Sequence, residues 1–515
     1  TYDREGNLQT MQAGESWQAS WVRDNTGLEV QRTFSGGVTV RTERDCFGRE
    51  VRKSVRSNGM EKGAYHYQWG IANRLLSKEN ELTGTVTRYD YDRFDFLIRQ
   101  ETMQGSETDV IYRTPDFVGN LFETPDKKDR KYGAGGKLLE DPDCFYHYDD
   151  EGNLIFREFK QLQATGVRFD RKRMEKERGI HFLATGTGWL YEWSSNGMLK
   201  KVIRPDGRPV EFRYDALGRR TAKQYFGKIT RWVWDGNVPI HEWSYKVTDM
   251  QPDEKESAPS KEPTEDITTW VFESGTFVPT AKIQEGKQYS IVSDYLGTPI
   301  QMYDEQGKKT WECTLDVYGK ATTFEGRSLS DCPFRFQGQY EDEETGLYYN
   351  RFRYYDNNIG SFISQDPIRL LGGKCLYNYV CNINSQIDIY GLLKKGEQPI
   401  QPYEVTTYNE FRRKSVKGDG LEGHELLQNI VLEKEGLAST RFSTDASKNN
   451  PVIALPESIH TEVSAKQIAL DTKNMSPMDN IKTNAQILRD AGVPLDIVNN
   501  LENKAIAHAK NNGLH

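Results

Sequence analysis

From its first residues to about residue 355 the chain repeats one short unit at irregular intervals: an aromatic residue, an aspartate or similar turn former, two or three residues, a glycine, then a strand of alternating character. Tyr2-Asp3-Arg4-Glu5-Gly6, Tyr148-Asp149-Asp150-Glu151-Gly152, Tyr214-Asp215-Ala216-Leu217-Gly218 and Tyr303-Asp304-Glu305-Gln306-Gly307 are full copies. Asp45-Cys46-Phe47-Gly48, Trp193-Ser194-Ser195-Asn196-Gly197, Trp234-Asp235-Gly236 and Asp316-Val317-Tyr318-Gly319 are degenerate ones. The aspartate caps the turn through its side chain, the glycine takes the positive φ of the bend, and the aromatic packs on a neighbouring hairpin. A single hairpin cannot bury its face, so the units must stack into a continuous spiralled sheet. The expected fold is a mainly β repeat shell over residues 1–335, a closing region over 336–392, and a small α-rich (α+β) domain over 393–515.

Composition agrees with β structure built on aromatics. Hydrophobic residues make up 36% and mean hydropathy is −0.77, yet there are 10 Trp, 27 Tyr and 22 Phe to fill a core. A net charge of −8 gives no global reason for binding nucleic acid or an anionic membrane, so any such contact has to be local. The six cysteines, Cys46, Cys144, Cys313, Cys332, Cys375 and Cys381, match no C-x-x-C pattern and read as reduced core residues. No stretch reaches the roughly 18 apolar residues of a membrane span, and the start has neither a basic nor an apolar signal region. Thr1 already lies inside a repeat, which reads as an internal starting point in a longer polypeptide. The charged, Pro-rich residues 246–268 read as a surface loop.

The closing region carries a more specific pattern. Phe336-Gln337-Gly338-Gln339-Tyr340, Thr345-Gly346-Leu347-Tyr348-Tyr349-Asn350-Arg351 and Arg353-Tyr354-Tyr355-Asp356, then Gly360 through Asp366-Pro367, resemble the Rhs core, and Asn378 through Asn384 with Asp388-Ile389-Tyr390-Gly391-Leu392 resembles its end. In that family, and in the C component of Tc toxins, the repeats form a hollow shell around a C-terminal toxin. The resemblance covers roughly residues 1–392. One departure stands out: the family closes on D-P-x-G-L, and Ile389 occupies the proline position, restoring an N–H donor and a free φ.

The resemblance also implies self-cleavage after Leu392, at the Leu392–Leu393 bond, by Asp366 and Asp388. Paired carboxylates hydrolyse a peptide when one is ionised to activate water and the other protonated to serve the leaving amine. Taken without the resemblance, both aspartates read equally well as turn caps.

After the boundary the sequence changes character: all ten Trp precede residue 320, no aromatic follows Phe442, and helical periodicity replaces alternation. Residues 393–515 hold 15 Lys+Arg and 16 Asp+Glu, a net of −1, with no basic face signalled. Residues 423–432 predict a helix ending at Gly436, with His424 at its entrance; residues 451–456 predict a short buried strand, and a second helix from about Ser458 contains His460. Residues 481–494 and 497–509 read as two amphipathic helices, with His508 and His515 as exposed groups.

The order Gly423-His424-Glu425, then Asn449-Asn450-Pro451-Val452-Ile453-Ala454-Leu455-Pro456, then His460 resembles a divergent HNH/endonuclease VII domain. That resemblance implies a divalent ion, a histidine base and an orienting asparagine. His424 or Glu425 would be base or ligand, Asn449 or Asn450 the orienting residue, and His460 a ligand. Ser464 stands where a second histidine ligand often lies, so Glu425, Asp445 or water would complete the coordination, favouring Mg²⁺ or Mn²⁺ over Zn²⁺.

The expected function is an interbacterial toxin, stored in the producer's cytoplasm and secreted or injected into target cells, with type VI secretion among the routes. It would cut nucleic acid, DNA ahead of RNA, and its expected partners are an immunity protein and an export apparatus engaged through a region preceding this sequence. Two other classes stay open: the same shell with an ADP-ribosyltransferase or deaminase tip, and a structural or adhesive repeat protein. The tip lacks cysteine and the H-x-E with P-C-x-x-C of a zinc deaminase.

Overall fold

The computed structural model describes every residue except 4–6, 15–16, 26, 165, 250–261, 370–374, 393–399, 401–402, 416–420, 441–442 and 515. It divides into two compact units, Thr1–Gly396 and Glu397–His515.

The first unit is built from antiparallel meanders. Ten strands from Thr10–Ala13 to Glu107–Tyr112 form one sheet and sixteen from Lys131–Tyr132 to Ala321–Gly326 form another, each strand bonded to the next in sequence. The repeat turn at Asp215 shows why. The Leu217 and Arg219 amides donate to Asp215 Oδ1 at 2.9 and 2.8 Å, and Gly218 closes the turn at φ 75°. The aromatic just before the turn sits at a register shift, as at Tyr148, Trp193, Tyr214, Trp234 and Tyr303. Such bulges increase local twist, so their recurrence coils the sheet instead of leaving it flat.

Residues 340–362 supply a four-stranded sheet, Tyr340–Asp342, Leu347–Asn350, Arg353–Asp356 and Ser361–Phe362, whose Tyr340, Tyr349 and Tyr354 pack into the core of the sixteen-stranded sheet. Tyr340 meets Trp232 edge to face at 5.5 Å, and the Tyr214 and Tyr354 hydroxyls lie 2.8 Å apart. Buried Arg220 pairs with Asp342 and lies over Trp232 and Tyr349 at 4.4 and 4.6 Å. Lys223 joins the same carboxylate at 3.0 Å. Removing Asp342 leaves buried Arg220 without the carboxylate it pairs with, while Lys223 keeps Glu344 at 2.6 Å, so Asp342→Ala is expected to cost about 3–5 kcal/mol in urea unfolding.

All six cysteines are free thiols. Four are buried and Cys381 half-buried, but Cys46 is exposed, because it occupies a turn instead of a strand. In segment 246–268, residues 250–261 lie outside the described residues, and Arg231 Nε donates to Glu262 at 2.9 Å where the chain returns.

The second unit is α+β. Its central strand Pro451–Pro456 pairs antiparallel with Val405–Thr407 on one side and Leu421–Glu425 on the other. Residues 451–455 are fully buried and the helices Glu457–Ala469, Pro477–Asp490 and Leu495–Asn511 complete one apolar core.

The expected helix over residues 423–432 is corrected here: His424 lies on a strand, and the helix is confined to Asn429–Lys434. A buried central strand needs backbone partners along both edges, and Gly423 lets the outer strand pass Phe411, whose ring a Cβ would meet at 2.8 Å. Pairing thus overrides the local 3.6-residue pattern. The expected exposure of His508 is also corrected: it is half-buried, with Nε2 2.9 Å from the Ala446 carbonyl, and burial lowers its pKa. His515 lies outside the described residues. Among the described residues no helix is long and apolar enough to cross a membrane.

Candidate functional sites

Asp366 and Asp388, 22 residues apart in sequence, meet at one buried guanidinium. Arg353 Nη2 lies 3.0 Å from Asp366 Oδ2 and 3.4 Å from Asp388 Oδ2; all three residues are at most 4% exposed. Arg353 also donates through Nε to the Gly391 carbonyl and through Nη1 to Leu376 at 3.1 Å. The Leu392 amide donates to Asp388 Oδ1 at 3.0 Å, and Asn350 Nδ2 holds the Asp388 carbonyl at 2.8 Å. The segment ahead of the expected scissile bond is therefore anchored on the carboxylate pair and its arginine. Gly391 is required at this point: its φ is 68°, and a Cβ would meet the Asn350 carbonyl oxygen at 2.8 Å. Leu393 lies outside the described residues.

The two carboxyls have similar partners: each faces Arg353 and each accepts one backbone amide, that of Ile368 for Asp366 and that of Leu392 for Asp388, both at 3.0 Å. Burial pushes Asp366 up to about 6, with Arg353 and the Ile368 amide opposing and Asp388 adding to the rise. Asp388 accepts from the Leu392 amide and faces the same arginine. Burial thus inclines Asp366 to hold a proton beside a second carboxyl, the arrangement that paired-carboxylate hydrolysis uses.

In the second unit, His424 and His460, 36 residues apart in sequence, are brought ring to ring: centroids 5.7 Å apart, planes at 74°. They border an open polar cleft of about 430 Å³ with Glu425, Asn429, Glu433, Ser464 and Gln467. His424 is 3% exposed, and burial, with His460 adding to it, pulls its pKa down to about 3. His460 is half-buried. Glu425 Oε2 accepts from the Asn429 amide at 3.3 Å, and Asn429 Nδ2 donates to Glu433 at 2.5 Å.

The other residues of the expected centre fall elsewhere. Asp445 is exposed at the start of the short helix Asp445–Lys448 and does not line the cleft. Asn449 is exposed at that helix's end, and Asn450, fully buried, donates to the Leu427 carbonyl at 2.7 Å. Among the described residues no three His, Cys, Asp or Glu side chains are grouped so as to hold a metal ion. The expected set of His424, His460 and Asp445 is therefore brought together only as far as its two histidines.

Comparison with known proteins places the first unit. The Teneurin YD-shell family model matches residues 1–371. The chain belongs to that family. A double-stranded DNA deaminase toxin A of Burkholderia cenocepacia is 29% identical over 424 residues, 78% of this chain and 28% of that protein. A probable deoxyribonuclease RhsA of Dickeya dadantii is 27% identical over 406 residues, 76% of this chain and 26% of that one. This YD-shell chain thus spans about a quarter of the length of these relatives. A solved TcdB2–TccC3–Cdc42 structure aligns at 18% identity and TM-score 0.36, over 76% of this chain and 23% of that one.

Besides Asn429, Glu433 and Gln467, which line the cleft of the YD-shell protein's second unit, two residues buried behind it escaped the sequence reading: Asn480 and Asn484. Asn480 and Asn484 stand one helical turn apart on the buried face of Pro477–Asp490, fully buried among Ile481, Ala485 and Leu488. A polar pair interrupting an apolar stripe is the signal that could have flagged them, because a buried amide must find partners. Asn480 Oδ1 accepts from the Gln428 amide at 2.9 Å and Asn484 Nδ2 donates to the Leu426 carbonyl at 2.8 Å. With Asn450 they clamp the 426–428 loop that follows His424.

Proposed function

We propose that this YD-shell chain is the C-terminal part of an interbacterial Rhs toxin that cleaves itself after Leu392. The second unit would then cut nucleic acid, DNA ahead of RNA, in the cleft between His424 and His460. The observation that carries the nuclease reading is the convergence of two sequence-distant histidines, ring to ring, on one open polar cleft. The two relatives above match similar shares of this chain yet are named for different chemistries, a deaminase and a deoxyribonuclease, so the cleft and not the likeness has to supply the assignment.

In self-cleavage, ionised Asp388 takes a proton from the water that attacks the Leu392 carbonyl carbon. Protonated Asp366 gives its proton to the departing Leu393 nitrogen as the C–N bond breaks. Arg353 orients both carboxyls and holds the Gly391 carbonyl. The sign of the pH dependence follows. The acid form of Asp366 dominates below about pH 6, so the rate should fall about tenfold per pH unit above that value. Following the second-unit fragment by denaturing gel during refolding from about pH 5 to about pH 8 measures it; a rate rising through that range would reverse the assignment.

In the cleft, His460 is placed to take the proton of an attacking water, since a base as weak as buried His424 would contribute little near neutrality. The repeat unit is proposed to enclose the freed unit, with an immunity protein as its partner in the producer and a secretion machine delivering it. Co-elution of both fragments on size exclusion supports retention. Expression of residues 393–515 in bacteria is expected to kill and to fragment chromosomal DNA; survival, or death with intact nucleic acid, would reject the nuclease. Digesting plasmid with and without EDTA separates two cases, because loss of cleavage in EDTA would mean that substrate completes a ligand set the folded chain does not hold.

A further inference from the structure

The hydrogen bonds behind His424 have a direction that no choice of amide orientation can reverse. The Leu426 carbonyl can only accept, so the Asn484 atom 2.8 Å from it is the Nδ2 donor. Asn484 Oδ1 then faces Gln467, and because that oxygen can only accept, the Gln467 atom 3.0 Å away is its Nε2 amide. The same Nε2 lies 3.2 Å from His424 Nε2. Its second hydrogen serves that nitrogen, so His424 Nε2 has to be unprotonated. All three residues are at most 9% exposed, leaving little water to offer an alternative partner.

We propose that Gln467 and Asn484 are positioning residues that fix His424 as the neutral Nδ1–H tautomer, with Nε2 occupied as an acceptor. Resting on the nuclease reading, the consequence is a division of labour: His424 stands as a fixed neutral wall of the cleft, and proton transfer falls to His460 across it. Asn450, one of the two asparagines expected to orient the histidine or its loop, instead braces the backbone at Leu427, and the orienting role passes to a glutamine 43 residues from His424 in sequence. Gln467 lies on the same helix as His460, Glu457–Ala469, so one rigid element carries both the lock and the proton acceptor.

The test uses the full chain with selectively ¹⁵N-labelled histidine, in long-range ¹H–¹⁵N correlation spectra, the His424 signals being those lost in His424→Gln. The expected parent spectrum at neutral pH shows a protonated Nδ1 and an unprotonated Nε2 for His424. A protonated Nε2 in the parent overturns the lock without recourse to any further variant. Gln467→Glu presents only acceptors once its carboxyl is ionised, so in the ionised variant a proton should move onto Nε2 while the fold holds by circular dichroism; Nε2 still unprotonated in that folded, ionised variant also overturns the proposal. Cleavage is read separately. A fall of tenfold or more in Gln467→Glu, recovered when Gln is restored, supports the role in the reaction. The expected tautomer in a parent that cuts no nucleic acid keeps the lock and rejects the nuclease reading.

Discussion

Asp388→Asn is expected to leave the chain as a single full-length band on a denaturing gel, where the parent gives two fragments. The substitution is nearly isosteric. The amide oxygen can still accept from the Leu392 N–H, which holds the segment at 3.0 Å, and Arg353 keeps Asp366 as its remaining carboxylate. What disappears is the group able to take a proton from water, a loss worth about 10² to 10⁴ in rate for general acid–base catalysis. Asp366→Asn removes the proton donor and should arrest the chain equally. Arg353→Met separates positioning from chemistry: it leaves both carboxyls buried without their shared cation, so Asp366 should titrate at higher pH and the chain should melt earlier as well as cleave slowly. If Asp388→Asn and Asp366→Asn both still release a fragment of residues 393–515, the aspartyl assignment is wrong.

The repeat unit was legible because its signal is chemical and local. Asp215 with Gly218, or Asp304 with Gly307, encodes its turn without outside help, and antiparallel neighbours in sequence become neighbours in the sheet. The strand 451–456 was legible for a related reason, as a short apolar run bounded by prolines and polar residues. The misread element, residues 421–425, has weak local character: Leu-Glu-Gly-His-Glu is neither strongly alternating nor β-branched, and its conformation is set by the edge of a strand 30 residues away. The cleft was half legible. His424 and His460 follow from the resemblance to HNH/endonuclease VII domains, but the residues that hold them depend on which helix face turns inward. Gln467, Asn480 and Asn484 look like ordinary helix-surface amides until the tertiary fold buries them. Asp445 was named for the opposite reason, sequence proximity to a loop that the fold then carries away from the cleft.

His460→Ala is expected to lower nucleic-acid cleavage by about 10² to 10⁴ while leaving the melting temperature of the second unit nearly unchanged. Its side chain is half-buried on the cleft wall and not part of the apolar core, so truncation removes little packing. His424→Ala gives a contrasting pattern. That imidazole is buried against Gln467, and deleting it leaves a cavity together with an amide hydrogen that has lost its acceptor, a cost of about 1–3 kcal/mol. Activity and stability should therefore fall together in His424→Ala and separate in His460→Ala. His424→Asn sharpens the comparison, since a smaller acceptor restores part of the bond to Gln467 and should recover stability ahead of rate. Rates on plasmid DNA, each paired with a thermal melt of the same preparation, distinguish these outcomes. A His460→Ala protein that cuts at the parent rate removes the proton acceptor from the scheme and, with it, the reading of this cleft as a nuclease centre.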